Sequence, residues 1–386
     1  MKYRVITNSE RGAFACQKKW GFSYNERLTT LDAAAPLRQG SLYHRCLETL
    51  YRGIAGFEAG GDANPRPTRI DEICETVIDP WLEQREFFTR QNLDPEVASH
   101  TIERDREIAD QTAGMVSNYI DRFISQDAER WEVLGVELQV ARELPNPKTG
   151  KTLRIQRKKC LYGGAIDLLV RDRISGLVFL VEHKTTAERD LDRYCRKLHF
   201  DPQIRGYPWA LAKPHPAADL KEPVEVAGII YNVARKKLPA MPKILKSGKI
   251  STDKRIDTTH AVFLREVLIQ GQNPADYVEI LDQLKGREFF HRETYMITPG
   301  DLQDFQEDMS HNALQIRDAS KPGTFHPRQV QVCTGPGSWP CPFNSICMED
   351  GPMARASYRT KTVRHEELTG DLAEEEPNKK TENLFR

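Results

Sequence analysis

Residues 177–186, LVFLVEHKTT, constrain the fold most tightly. Five consecutive apolar residues, rich in β-branched and aromatic types and preceded by the turn pair Ser175-Gly176, read as a buried strand rather than a helix. Side chains alternate along a strand, so Glu182 and Lys184 share the face of Val178 and Leu180 while His183 points the other way. An unpaired buried charge is very costly, so something must balance these two. Asp167 interrupts the neighbouring apolar run AIDLLV and reaches the same region if the two strands pair. Two carboxylates converging beside an ammonium make a poor structural salt bridge and a good divalent-metal site.

The surrounding pattern is mixed. Residues 40–53 have helical spacing of apolar positions, 60–69 (GGDANPRPTR) read as a loop, and 71–126 as mostly helical. Strand-like segments follow at 132–143, 161–170 and 177–185. Asp201-Pro202 reads as a cap and first-turn proline opening a helix through Leu211. Further strands are expected at 224–233 and 287–297, helices at 258–270, 275–284 and 299–318, and a basic, proline-broken loop at 234–256. The polar stretch from about 365 reads as a disordered tail. These segments predict an α/β fold with a mixed central β-sheet flanked by helices. Residues 1–364 form one domain with a helical insertion at about 55–130.

Lys plus Arg equals Asp plus Glu, 56 each, so no global field draws the chain to nucleic acid or an anionic membrane. Any such partner is held by a local patch. No apolar stretch approaches the length of a membrane span, and the first residues lack the apolar core of a secretion signal. A soluble, cytoplasmic protein is the expectation.

Asp167 and Glu182 offer the oxygen ligands that Mg²⁺ or Mn²⁺ prefers, with the main-chain carbonyl of His183 as a third. Lys184 would orient or help deprotonate an attacking water. The pattern extends beyond these residues. Gly163 to Lys184 read G-G-x-x-D, fourteen residues, then E-x-K-T, and Gln203-x-x-x-Tyr207 lies on one face of the expected helix. Gly40-x-x-x-His44 lies in the first amphipathic helix, and Glu137 interrupts the strand before the hairpin.

This ordered set resembles the PD-(D/E)XK nuclease superfamily, which has a restriction-endonuclease-like core. Within it the set is similar to the RecB-like exonucleases, including the CRISPR adaptation nuclease and AddB-type nuclease domains. The resemblance covers about residues 12–350. It implies Asp167 and Glu182 as metal ligands, Lys184 as the catalytic lysine, His44 as a histidine assisting the metal, and Gln203 and Tyr207 as a strand-contacting element. Glu137 matches an upstream acid able to join the metal shell. Pro208 departs from the pattern, because a proline removes a helix hydrogen bond directly after Tyr207.

Cys333, Cys341 and Cys347 stand in a Gly- and Pro-rich stretch with spacing C-x7-C-x5-C, and Cys16 precedes the first amphipathic helix. The C-x2-C knuckles of common zinc sites are absent from this stretch. The layout resembles iron-sulfur nucleases of the RecB-like branch, which implies a 4Fe-4S cluster on Cys16, Cys333, Cys341 and Cys347 that staples the C-terminal region. Zinc at the same positions is the alternative occupant. Cys46, Cys74, Cys160 and Cys195 read as ordinary free thiols.

Basic clusters at 157–159, 193–197, 235–237 and 243–249 are candidates for phosphate contacts, and Trp20, Tyr24 and Trp209 for base stacking, although aromatics at these spacings more often mark core packing. The reading is a metal-dependent DNA exonuclease acting on ends or single strands in recombination, repair or phage DNA processing, in a prokaryotic or phage-infected cell. The chain contains no phosphate-binding G-x-x-x-x-G-K-[ST] loop, so a helicase or recombinase would be a separate partner. A non-catalytic nucleic-acid-binding iron-sulfur module is the rival, and a sequence-specific endonuclease of the same superfamily is a third reading.

Overall fold

The computed structural model describes residues 3–56, 69–334 and 341–373. Its strands are β1 (Tyr3–Ile6), β2 (Leu28–Thr30), β3 (Trp131–Glu143), β4 (Arg154–Ile155), β5 (Lys158–Asp172), β6 (Val178–Thr186), β7 (Gly228–Arg235), β8 (Phe290–Met296) and β9 (Tyr358–Thr360). All but β2 and β9, which pair with each other, form one mixed sheet in the order β1-β5-β6-β7-β8, with β3 and β4 also on β5. The expected mixed α/β architecture is present.

β5 organises the sheet. β3 runs antiparallel beside it from Leu161 to Asp172. Its other edge takes β1, in parallel, at residues 159–162 and β6, antiparallel, at residues 168–171. Residues 163–167 between them have no strand partner on that edge. This bare interval is the G-G-x-x-D motif.

Helices cover both faces. On one lie α1 (Asn8–Phe14), α2 (Gln17–Trp20) and, further along the chain, helices introduced below; on the other lie α3 (Ala35–Ala55), α4 (Ile70–Ile73), α5 (Asp79–Asn92), α6 (Pro95–Tyr119) and α7 (Ser125–Arg130). α3 sets Leu42, Tyr43, Cys46, Leu47, Leu50 and Tyr51 at helical spacing into a core shared with Val136, Leu168, Val170 and Val181 of the sheet. The first face carries α8 (Leu191–Leu198), α9 (Gln203–Leu211) and, after α10 (His260–Ile269) and α11 (Val278–Leu284), α12 (Pro299–Ala319). Its core joins Tyr162, Leu169, Leu180, Tyr231 and Tyr295 to Ile204, Trp209, Phe305 and Met309. α10 and α11 pack around Phe263 and Tyr277 in a smaller cluster.

Several expectations need correction. β1 and α1 are absent from the sequence reading, because YRVI is short and interrupted by a charge. Arg4 is nonetheless buried, paired with the buried Glu10, which also accepts a 2.9 Å hydrogen bond from Trp20 Nε1. The strand expected at 224–233 begins at Gly228, since Val224 is held to the end of α9 (Val224 N to Leu211 O, 2.9 Å). The segment expected to open a disordered tail at 365 is packed through residue 373. His365, Leu368 and Leu372 are buried, and His365 Nε2 lies 3.2 Å from Glu10 Oε2. Residues 57–68, which hold most of the loop expected at 60–69, residues 335–340 of the cysteine-bearing segment and residues 374–386 lie outside the described residues.

A buried polar network ties the helical layer to the far edge of the sheet. Arg292 on β8 makes a bidentate pair with Asp127 on α7 (2.6 and 2.9 Å), and Tyr51 OH donates to the same carboxylate at 2.7 Å. Asp127→Ala strips the partner from a largely buried guanidinium. A loss of about 3–5 kcal/mol in unfolding free energy is expected. Denaturant unfolding measures it, and a loss below about 1 kcal/mol would contradict the network's importance.

Candidate active site

The β5–β6 ladder stops at Leu168↔Val181. The next residues are Asp167 and Glu182. Instead of continuing the ladder, Asp167 Oδ2 accepts a 2.7 Å hydrogen bond from the backbone amide of His183. The strands diverge where the two carboxylates converge.

Cations on either side hold them. His44, one turn beyond Gly40 on α3, places Nδ1 3.5 Å from Asp167 Oδ2. Gly40 permits this approach, since a Cβ there would lie 3.2 Å from Thr185 Oγ1 at the end of β6. Lys184 Nζ donates to Glu182 Oε1 at 2.8 Å and to Gln203 Oε1, and lies 3.8 Å from Asp201 Oδ2. Gln203 Nε2 in turn donates to Tyr207 OH at 2.9 Å. The ring of Tyr207 rests on the bare part of β5: a Cβ on Gly164 would lie 2.8 Å from its Cε1.

Glu137 joins the group from β3. That strand bulges between Val133 and Gly135, and its register sets Glu137 opposite Asp167. The residue has φ 51°, a left-handed conformation that costs a non-glycine residue about 1–2 kcal/mol.

Electrostatics follow from this crowding. Burial acts to raise the Asp167 carboxyl, but the His44 imidazole and the His183 amide outweigh it and hold it below the usual carboxylate range. Burial and the Asp167 charge push Glu182 up. Burial, with Asp167 and Glu48, pushes Glu137 to about 8. Burial opposes charge on His44, yet Asp167 outweighs it and raises its pKa. Lys184 is likewise disfavoured by burial, but Glu182 and Asp201 hold its pKa above the ordinary lysine range. Glu182 and Asp201 thus favour the charged form of Lys184.

All the expected residues therefore meet: Asp167, Glu182, Lys184, His44, Gln203, Tyr207 and Glu137. Tyr207 is buried, and its hydroxyl accepts the hydrogen bond from Gln203 Nε2. Pro208 does not end α9, which runs on to Leu211. His183 turns its ring to the opposite face as expected, stacked on Tyr51, where burial lowers it to about 3. Asp201 and Glu48 are additions. Asp201 does cap α9 (2.9 Å to Gln203 N), but its second oxygen also faces Lys184. Glu48 lies four residues beyond His44, a spacing that already placed both on one helical face.

A model of the PD-(D/E)XK nuclease superfamily matches residues 12–348. The chain belongs to this superfamily. A comparison with curated proteins gives no match. Membership makes the chain a nuclease, with DNA as the implied substrate. No helix among the described residues is long and apolar enough to cross a membrane.

Other expectations for the nuclease change. Trp20, Tyr24 and Trp209 are buried core rings, not stacking platforms. Arg235 is buried and bidentate to Asp257 (2.9 and 2.8 Å), and Lys236 donates to Pro36 O at 2.6 Å, so the 235–237 cluster serves the fold. Burial raises the Cys333 thiol, and Cys16, Cys341 and Cys347 add to the rise.

The raised groups fix the sign of a pH response. Glu137 and His44 retain protons in the folded nuclease above the pH at which the unfolded chain releases them. From pH 6.5 to about 8, metal-free stability therefore falls as pH rises. A divalent ion held by Glu137 and His44 would displace those protons, so stabilisation by Mn²⁺ is expected to grow over the same window. Thermal unfolding of wild type and Glu137→Gln with and without Mn²⁺ checks this. A pH-independent Mn²⁺ effect would contradict it.

Proposed function

We propose that the chain is a Mg²⁺- or Mn²⁺-dependent DNA exonuclease of the RecB-like branch, acting at ends or on single strands in DNA recombination, repair or phage DNA processing. The observation that carries this is the joining of Asp167, Glu182 and Lys184 to Gln203 and Tyr207 at the bare interval of β5. The donor set fits a hard cation. Asp167, Glu182, Glu137 and the His183 carbonyl offer oxygens, His44 a nitrogen, and the surplus of buried negative charge is what a divalent ion neutralises. Bound there, the ion supplies charge stabilisation to the phosphoryl oxygens during hydrolysis.

The residues themselves divide the remaining work. Lys184, locked between Glu182 and Gln203, directs its charge at the scissile phosphate and orients the attacking water. Tyr207 keeps Gln203 in register with Lys184. A cleft of about 920 Å³ opens from Lys184, Asp201 and Gln203 past Asn8, Arg11, Asn312 and Arg328. Its polar and cationic lining suits a single strand held by its phosphates. Phe200, 81% exposed and directly preceding Asp201, is placed to stack on a base near this cleft. The grouping of Cys16 with Cys333, Cys341 and Cys347 fits a 4Fe-4S cluster that closes the C-terminal segment onto the N-terminal helices. A helicase or recombinase would act as a separate partner.

End-labelled single- and double-stranded DNA, incubated with Mg²⁺ or Mn²⁺, provides the test. Wild type should shorten the substrate from its ends, and Lys184→Ala should be slower by about 10²–10³-fold. Equal rates would reject the site, and internal cuts without end dependence would reject exonuclease action. Tyr207→Phe, which removes the acceptor for Gln203, should lower kcat more than it raises KM. Anaerobically purified protein should carry about four irons and matching sulfide per chain. An iron-free preparation would remove the cluster.

A further inference from the structure

We propose that Cys195, His291 and Glu293 form a zinc site separate from both the nuclease centre and the four-cysteine group. One ligand atom from each of the three lies within 4.8 Å of the others. Cys195 is buried on α8, and His291 and Glu293 occupy alternate positions on β8, so the strand presents both from one face. The register fixes which face. Glu293 pairs with Tyr231 and through it with Glu182, and His291 pairs with Val233 and through it with Lys184. The site therefore lies on the same side of the sheet as the catalytic acids, two strands away, or about 10 Å.

The chemistry of the donors selects the ion. A thiolate, an imidazole and one carboxylate suit zinc and are a poor set for Mg²⁺ or Ca²⁺, which demand oxygen. The imidazole is already oriented. Its Nε2 lies 3.5 Å from Glu293 Oε2, while Nδ1 faces Asp192 Oδ1 at 3.7 Å and Glu288 Oε2 at 4.0 Å. One ring nitrogen thus points to Glu293 and the other toward the Asp192 and Glu288 carboxylates. Histidines that ligate zinc usually have this outer-shell arrangement.

The placement also gives the ion a role. α8 follows the catalytic strand β6 and precedes α9, which carries Gln203. Tyr295 OH donates to Cys195 O at 2.7 Å, linking α8 to β8. Zinc across Cys195, His291 and Glu293 adds a second, stronger clasp between that helix and the edge strand, and leaves a fourth position for water.

Zinc retention on the full chain tests the proposal. Protein incubated with zinc, then desalted into buffer containing excess Mg²⁺, should keep zinc that is lost on His291→Ala or Cys195→Ser but unchanged on Asp167→Asn and Cys341→Ser. Asp192→Asn alters a largely exposed outer carboxylate without touching the core, and should weaken this zinc by about 10–100-fold. Cobalt substituted for the zinc should show a thiolate charge-transfer band that Cys195→Ser removes. Zinc retained undiminished in His291→Ala, or lost only with Cys341→Ser, would overturn the proposal. Failure of wild type to retain zinc after desalting would do the same.

Discussion

The structure turns on the place where two strands stop pairing. β5 and β6 form a regular antiparallel ladder through Leu168↔Val181, and one residue further their side chains are Asp167 and Glu182. Two carboxylates facing each other across a continued, buried ladder would repel strongly. Ending the ladder opens space between them, and the His183 amide is satisfied by the Asp167 side chain. The bare edge of β5 then receives Tyr207 against Gly164, and Tyr207 holds Gln203 against Lys184.

The charge balance in this opening explains its composition. Buried carboxylates need compensation, and the chain supplies it unevenly. His44 faces Asp167 and Lys184 faces Glu182, leaving Glu137 raised toward neutrality by burial and by its acidic neighbours. The arrangement remains short of positive charge. Glu137 also sits in a strained conformation, of the kind that functional sites retain and ordinary strand positions lose.

Much of this was legible in the sequence, for identifiable reasons. Period-two alternation placed Glu182 and Lys184 together and His183 apart, and four-residue spacing aligned Gln203 with Tyr207. The apolar runs of the central strands announced the sheet. What escaped depended on contacts remote in sequence. Arg4 hid β1 because its partner Glu10 lies on a separate element, and the tail at 365 looked disordered because its polar residues conceal His365, which is buried beside Glu10. The basic run at 235–237 looked free because Asp257 lies on a distant loop. The exposure of an aromatic ring cannot be read from spacing alone, so stacking and core packing both stay open for Trp20 and Trp209, and Phe200 draws no notice.

The central claim is that the opening between Asp167 and Glu182 is where a divalent cation binds. Anomalous scattering from crystals grown with Mn²⁺ locates that ion directly. A single strong peak within about 2.0–2.6 Å of oxygens from both carboxylates is the predicted result. Ordered density for both side chains with no manganese between them, at a concentration that supports DNA cleavage, would contradict the account.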